Sequence, residues 1–210
     1  MKLIVDKKKN GLTNPEFTEY LKTPVLKSEI TAKEADELEQ TLIDGLKQYP
    51  GLGLAATQLG IKKRACLINV DGSPMFLLNP IITKRDKEGF LFYEGCLSIP
   101  KTMEIPVRTI RSSKITVQTD NLGELTFEIN PSGDGNGKVS TETLTTAVVQ
   151  HEIDHLDGIT IKERVYSTTV RKETKYGRNE FIMMKSPTNE YVEVKYKKAN
   201  ELYLKGYEIV

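Results

Sequence analysis

The chain has 210 residues and a formal net charge of +1, with 38% hydrophobic and 28% charged residues, the size and balance of a globular protein built on one principal domain. Near-neutral charge removes the electrostatic case for nucleic acid as a direct ligand, and no apolar run approaches the roughly 18 residues that read as a membrane span. The N-terminus has neither a long apolar core nor a small-residue cleavage site, so the expectation is a cytoplasmic protein whose two cysteines, Cys66 and Cys96, stay reduced.

Residues 1–30 are punctuated by Pro15 and Pro24 and show no clear period. Thr31 to Glu34 is a capping-box pattern, and Ala35, Leu38, Leu42, Leu46 and Tyr49 form an apolar stripe at helical spacing that Pro50 ends. Residues 51–60, Gly-Leu-Gly-Leu-Ala-Ala-Thr-Gln-Leu-Gly, superficially match a dinucleotide fingerprint. That fingerprint needs a strand before it and a helix after it; here the order is reversed, which excludes it. The glycines serve instead for close backbone approach to a ligand or another strand. Gln58 then carries a neutral amide that can donate to an oxyanion, or that satisfies a nearby turn.

Residues 64–130 read as antiparallel sheet. Arg64–Val70 and Met75–Leu78 flank a turn at Asp71-Gly72, and two alternating runs, 115–119 and 125–129, flank Asn121-Leu-Gly123. Cys66 falls inside an apolar run and is expected in the core. Cys96 differs. It lies in Glu-Gly-Cys-Leu-Ser (94–98), a break between strands, where it is either a buried inert thiol or a metal ligand.

The stretch 151–155, His-Glu-Ile-Asp-His, holds both histidines of the chain. Ser140 or Thr141 can cap a helix through it, and Gly158 can end it. On that helix, residues four apart share a face, so His151 and His155 can turn toward one metal ion, and Glu152 stands where it can handle a water proton. With Cys96 they make three ligands, and a fourth position stays open, as a catalytic site requires. Leu144, Ala147 and Val148 share the stripe with the imidazoles. They form the kind of aliphatic wall that a pocket for an unbranched side chain needs, or simply part of the core.

Taken in order, GLGLAATQLG (51–60), EGCLS (94–98) and QHEIDHLDG (150–158) closely resemble the peptide deformylase family. The resemblance implies an α+β fold with antiparallel sheets packed around a central metal-binding helix. The catalytic domain would span residues 1–165, followed by a C-terminal extension, 166–210, of short strands. It implies Cys96, His151 and His155 as ligands of one divalent ion, usually Fe(II), with zinc, nickel or cobalt able to substitute. Glu152 would be the acid/base, and Gln58 and the Leu97 N–H would hold the oxyanion. Substrate contacts would fall at Leu52, Gly53, Glu94, Gly95, Leu144, Ala147 and Val148. The implied reaction removes the N-formyl group from N-formylmethionyl peptides of nascent proteins, releasing formate, in proximity to the ribosome.

Some members of that family end in a ribosome-docking helix, but residues 166–210 show no amphipathic helical pattern. Phe181–Met184, Tyr191–Tyr196 and Leu202–Val210 suggest strands around a turn at 186–189, and Lys197-Lys198 reads as solvated surface. Residues 131–139 form a Gly-rich loop. Asp134 and Asn136 weakly suggest a calcium loop, but Val139 stands where its glycine belongs. The alternative function is an H-E-x-x-H zinc endopeptidase. Ile161 occupies the position of a metzincin's third histidine, and Glu173 is the nearest plausible downstream Glu for a thermolysin-like site.

Overall fold

The computed structural model describes residues 2–6, 14–133, 139–166, 179–186, 190–199, 202 and 208–209. The chain divides into two compact units, residues 1–166 and 167–210.

In the first unit, α1 (Pro15–Leu21) starts at Asn14, whose side chain accepts from the Glu16 N–H. Pro15 stands in the first turn, where a missing N–H costs nothing. α2 (Ala32–Gln48) has both bonds of the expected capping box between Thr31 and Glu34. The chain then enters β1 (Gly53–Ala55) and a single 3-10 turn, Ala56–Leu59, which Gly60 ends in the left-handed conformation. β2 (Ala65–Ile68) and β3 (Met75–Leu78) complete an antiparallel sheet of order β1-β2-β3. Next come β4 (Ile81–Arg85), β5 (Gly89–Glu94), a short helix α3 (Lys101–Glu104), β6 (Val107–Ser112), β7 (Lys114–Thr119) and β8 (Gly123–Glu128). They make an antiparallel sheet of order β4-β7-β8 and a separate β5-β6 pair. α4 (Thr141–Leu156) is capped by Ser140, whose hydroxyl accepts from the Thr143 N–H, and α5 (Ile161–Arg164) follows it.

α4 is the element the sheets enclose. Strand alternation sends successive side chains of β2 to opposite faces. Cys66 and Ile68 join Ile115 and Val117 of the second sheet around Val149, Ile153 and Leu156 of α4. Ala65 and Leu67 point the other way, onto Leu38, Leu42 and Leu46 of α2. The apolar stripe predicts one buried face for α4, yet every residue from Val149 to Leu156 is buried. The helix has sheet packing on two sides, and arginines cover its polar side.

The C-terminal end of α4 is closed off from several directions. The Leu156 carbonyl accepts from the Val25 N–H at 2.8 Å and from Arg64 Nη1 at 3.4 Å, and Arg64 Nη2 pairs with Asp157 at 2.7 Å. Carbonyls that a helix terminus leaves open are thus satisfied by distant segments.

The second unit holds β9 (Phe181–Lys185), β10 (Tyr191–Lys195) and β11 (Glu208–Ile209) in an antiparallel sheet of order β10-β9-β11, with Ile182, Met184 and Ala199 buried. The calcium-like positions Asp134 and Asn136, the turn residues 187–189 and Glu173 lie outside the described residues. No helix among the described residues is long and apolar enough to cross a membrane.

Gly158 ends α4 with φ +71°, and a Cβ there would meet backbone atoms of Lys22, Thr23 and Pro24 at 2.9–3.0 Å. Backbone cannot swing aside as a side chain can. Gly158→Ala should therefore destabilise the fold by about 2–3 kcal/mol, the scale of a strained left-handed residue plus a clash. The midpoint of urea unfolding at fixed metal load measures it; a midpoint within error of the native chain would contradict this account.

Candidate active site

Three elements bring the site together. α4 supplies His151, Glu152 and His155, the turn after β5 supplies Cys96, and the 3-10 turn after β1 supplies Gln58. The donor atoms of Cys96, His151 and His155 all lie within 4.8 Å of one another. Cys96 Sγ is 3.3 Å from His155 Nε2, and the two imidazole rings stand edge to face with centroids 4.9 Å apart.

A cavity of about 240 Å³ opens over this group. Leu52, Gly53, Gln58, Glu94, Gly95, Cys96, Leu97, Leu144, Ala147, Val148, His151 and Glu152 line it. His155 stands beside Cys96 and His151, so the structure brings to one place the residues that the family resemblance implied for the site. It adds Gly51, Phe92, Tyr93 and Met103 to the lining. Phe92 and Tyr93 belong to β5, a strand whose alternation did not stand out in the sequence, and no signal there marked them.

Two of the three candidate ligands, His151 and Cys96, are held from behind. His151 Nδ1 donates to Glu94 at 2.8 Å, which leaves its other ring nitrogen for the cavity side. The Cys96 N–H donates to Thr102 Oγ1 at 2.9 Å, and Thr102 Oγ1 donates to the Ile99 carbonyl at 2.7 Å, fixing the turn that carries the thiol. Glu94 accepts from Arg111 Nε at 2.5 Å and Nη2 at 2.7 Å. Arg111 also reaches Asp154 at 2.5 Å, and Arg164 Nη2 binds the same carboxylate at 2.7 Å. Sequence reading missed Arg111, Thr102 and Ser98. Arg111 reaches Asp154 across 43 positions and Ser98 reaches Gln58 across 40, so spacing carries no signal of those contacts; Thr102 lies 6 residues from Cys96, but nothing in its residue type marked it.

Burial and partners set the charges. Burial pushes the Glu94 carboxyl up, but its bonds to Arg111 and His151 outweigh this and hold it well below the usual range. Burial opposes charge on His151, yet Cys96 and Glu94 hold its pKa well above the ordinary value. His155 goes the other way, lowered by burial first and then by the charge of His151. Burial pushes Glu152 up to about 7; the charges of His151 and Arg111 oppose that push and Glu94 reinforces it.

The donor set fits a transition-metal ion. One thiolate and two imidazoles suit zinc or Fe(II). Glu152, which lines the cavity, has Oε2 buried without a hydrogen-bond partner, a cost that a ligand in the site would relieve; His155 turns Nε2 toward Cys96, and its Nδ1 is buried without a partner as well. Glu152 is also crowded from above. A Cβ on Gly53 would fall 2.7 Å from Glu152 Oε1 and 2.8 Å from Val148 Cγ1, so only glycine lets β1 lie this close to α4.

Comparison with known proteins agrees with this geometry. A family model described as polypeptide deformylase matches residues 14–171. The chain belongs to the polypeptide deformylase family. A peptide deformylase from Dictyoglomus thermophilum is 36% identical over 155 residues, covering 74% of this chain and 92% of its own length. One from Desulfitobacterium hafniense is 37% identical over 144 residues, covering 68% and 85%. Among solved structures, peptide deformylase from Thermotoga maritima superposes with a TM-score of 0.59 at 27% identity, over 79% of this chain and 97% of that one. A probable peptide deformylase from Synechococcus phage S-SSM7 gives a TM-score of 0.58 at 28% identity, over 78% and 98%.

Family membership and the donor cluster together make this a metal-dependent hydrolase with a candidate site at Cys96, His151 and His155. Purified protein should carry one divalent ion per chain, and Cys96→Ala should lose most of it. Elemental analysis of both proteins provides the check; undiminished metal in the variant would remove Cys96 from the site.

Proposed function

We propose that this chain removes the N-formyl group from N-formylmethionyl peptides of nascent proteins, giving formate and a free amine. The observation that carries the reading is the placement of Cys96, His151 and His155 under a cavity whose rim is the free edge of β1. β1 pairs with β2 along one edge, and no strand among the described residues pairs with the other. An extended peptide can add to that edge at Gly53 through main-chain hydrogen bonds. The methionine side chain then fits against Leu144, Ala147 and Val148, while Leu52, Glu94 and Gly95 close the cavity around the peptide.

A divalent ion held by the three ligands would polarise the formyl carbonyl and lower the pKa of water. We take the native ion to be Fe(II), with zinc, nickel or cobalt as substitutes, since thiolate and imidazole donors suit all of them. Glu152 accepts the proton of the attacking water at its partnerless Oε2 and passes it to the leaving amine. Gln58 donates from Nε2 to the developing oxyanion. The Leu97 N–H, for which no partner is found among the described residues, is the second donor. Substrates of this kind place the work in the cytoplasm, near the ribosome.

The endopeptidase alternative shares H-E-x-x-H but has no use for Cys96. A cysteine sulfur 3.3 Å from the His155 imidazole favours the deformylase.

A site closed down around a formyl group excludes a larger acyl group by steric clash. N-formyl-Met peptides should be turned over with strong preference over N-acetyl-Met peptides, followed as formate or acetate release by the anaerobically prepared Fe(II) protein. Comparable turnover of the two, or cleavage of internal peptide bonds, would sink the assignment.

Glu152→Ala should keep its metal, because all three ligands remain, and lose about 10²–10⁴-fold in kcat/KM, the worth of a general acid–base. Near-normal activity in the metal-replete variant would assign the proton to another group.

A further inference from the structure

We propose that Ser98 is a positioning residue, whose hydroxyl fixes the Gln58 amide so that one of its N–H groups is aimed into the cavity. The inference rests on the deformylase reading, in which Gln58 is the side-chain donor to the oxyanion.

The orientation of the amide follows from its neighbours. The Ala55 N–H lies 2.9 Å from one end of the Gln58 side chain, and a backbone N–H can only donate, so that end is the carbonyl oxygen. The other end is therefore the NH₂ group, and it lies 3.1 Å from Ser98 Oγ. The two N–H bonds of an amide diverge by about 120° in a plane, so only one can go to Ser98. The second remains for the cavity that Gln58 lines. Gln58 is 2% exposed and Ser98 fully buried, so bulk water does not compete for either bond.

The contact also joins the two oxyanion donors. Gln58 and Leu97 come from turns far apart in sequence, and Ser98 directly follows Leu97. Backbone bonds reinforce the junction. The Ile4 N–H donates to the Gln58 carbonyl, and the Asp6 N–H to the Ser98 carbonyl, each at 2.7 Å. The segment at residues 4–6 thus spans both turns, and the Ser98 hydroxyl carries their fixed spacing out to the amide that must donate. Without it, the amide is held at its oxygen alone and is free to pivot about that bond.

The test is a double-mutant cycle on the metal-loaded, full-length chain: native protein, Ser98→Ala, Gln58→Ala and the double variant, assayed on a formyl-Met peptide. Metal content and melting temperature are measured on the same preparations. Ser98→Gly, which removes the same hydroxyl, is the second variant should the alanine not fold. In the native background, loss of the hydroxyl should lower kcat about tenfold, the scale of one net hydrogen bond, with KM and metal content unchanged. In the Gln58→Ala background the same change should alter kcat less than twofold, because the amide it positions is gone. An equal loss in both backgrounds, a loss confined to KM, or no loss in the native background would overturn the proposal while leaving the deformylase reading intact. A native, metal-loaded protein that releases no formate would instead overturn that reading, and the role of Ser98 with it.

Discussion

Everything in the first unit depends on burying a charged helix. Between His151 and His155, α4 carries four ionisable side chains, and all are buried. An unpaired ion in such a place costs several kcal/mol, and the fold avoids that cost by pairing. Arg164, Asp154, Arg111, Glu94 and His151 form one continuous chain of hydrogen-bonded charges that ends at an imidazole of the candidate metal site. The β5-β6 pair contributes two of its three inner members, Glu94 and Arg111. The arrangement leaves Glu152 as the buried carboxylate of the helix with an unbonded oxygen, and on the proposed reading that oxygen takes the proton of the attacking water.

Much of this was legible in the sequence, and for identifiable reasons. Local signals were reliable where one segment decides its own structure. Thr31 and Glu34 cap α2, Asp71-Gly72 and Gly123 mark turns, and Gly158 stops α4. The site residues were legible because residue type at fixed spacing encodes chemistry, as in two histidines four apart with a glutamate between them. The partners behind those residues were not legible. Arg111 meets Asp154 across forty-three positions, and Ser98 meets Gln58 across forty. Pattern reading has no access to such pairs, since many arginines and serines along the chain look alike. The same limit hid the all-round burial of α4. Its polar positions Gln150 and Asp154 carry no sign in the sequence of what they meet, yet they are the contact points for Ser112, Arg85, Arg111 and Arg164.

β1 and α4 constrain each other. Gly53 lets the strand lie against Glu152 and Val148, and Ala55, two residues on, both packs on the core side and holds the oxygen of Gln58. On the proposed reading, a three-residue strand therefore sets the distance from peptide edge to proton carrier to oxyanion donor. Its own position is fixed by Cys66 and Ile68 across the ladder and by α2 beneath it. Core packing is here the means by which reacting groups are held to a fraction of an ångström.

The free edge of β1 has a consequence in time. A strand edge of three residues recognises main chain, and main chain offers itself only while it is extended. A nascent protein presents its first residues in that form briefly, between leaving the ribosome and coiling into a helix or vanishing into its own interior. On the proposed reading, then, the enzyme does not choose among folded proteins at all. It competes with folding, and a chain that wraps up its N-terminus first keeps its formyl group.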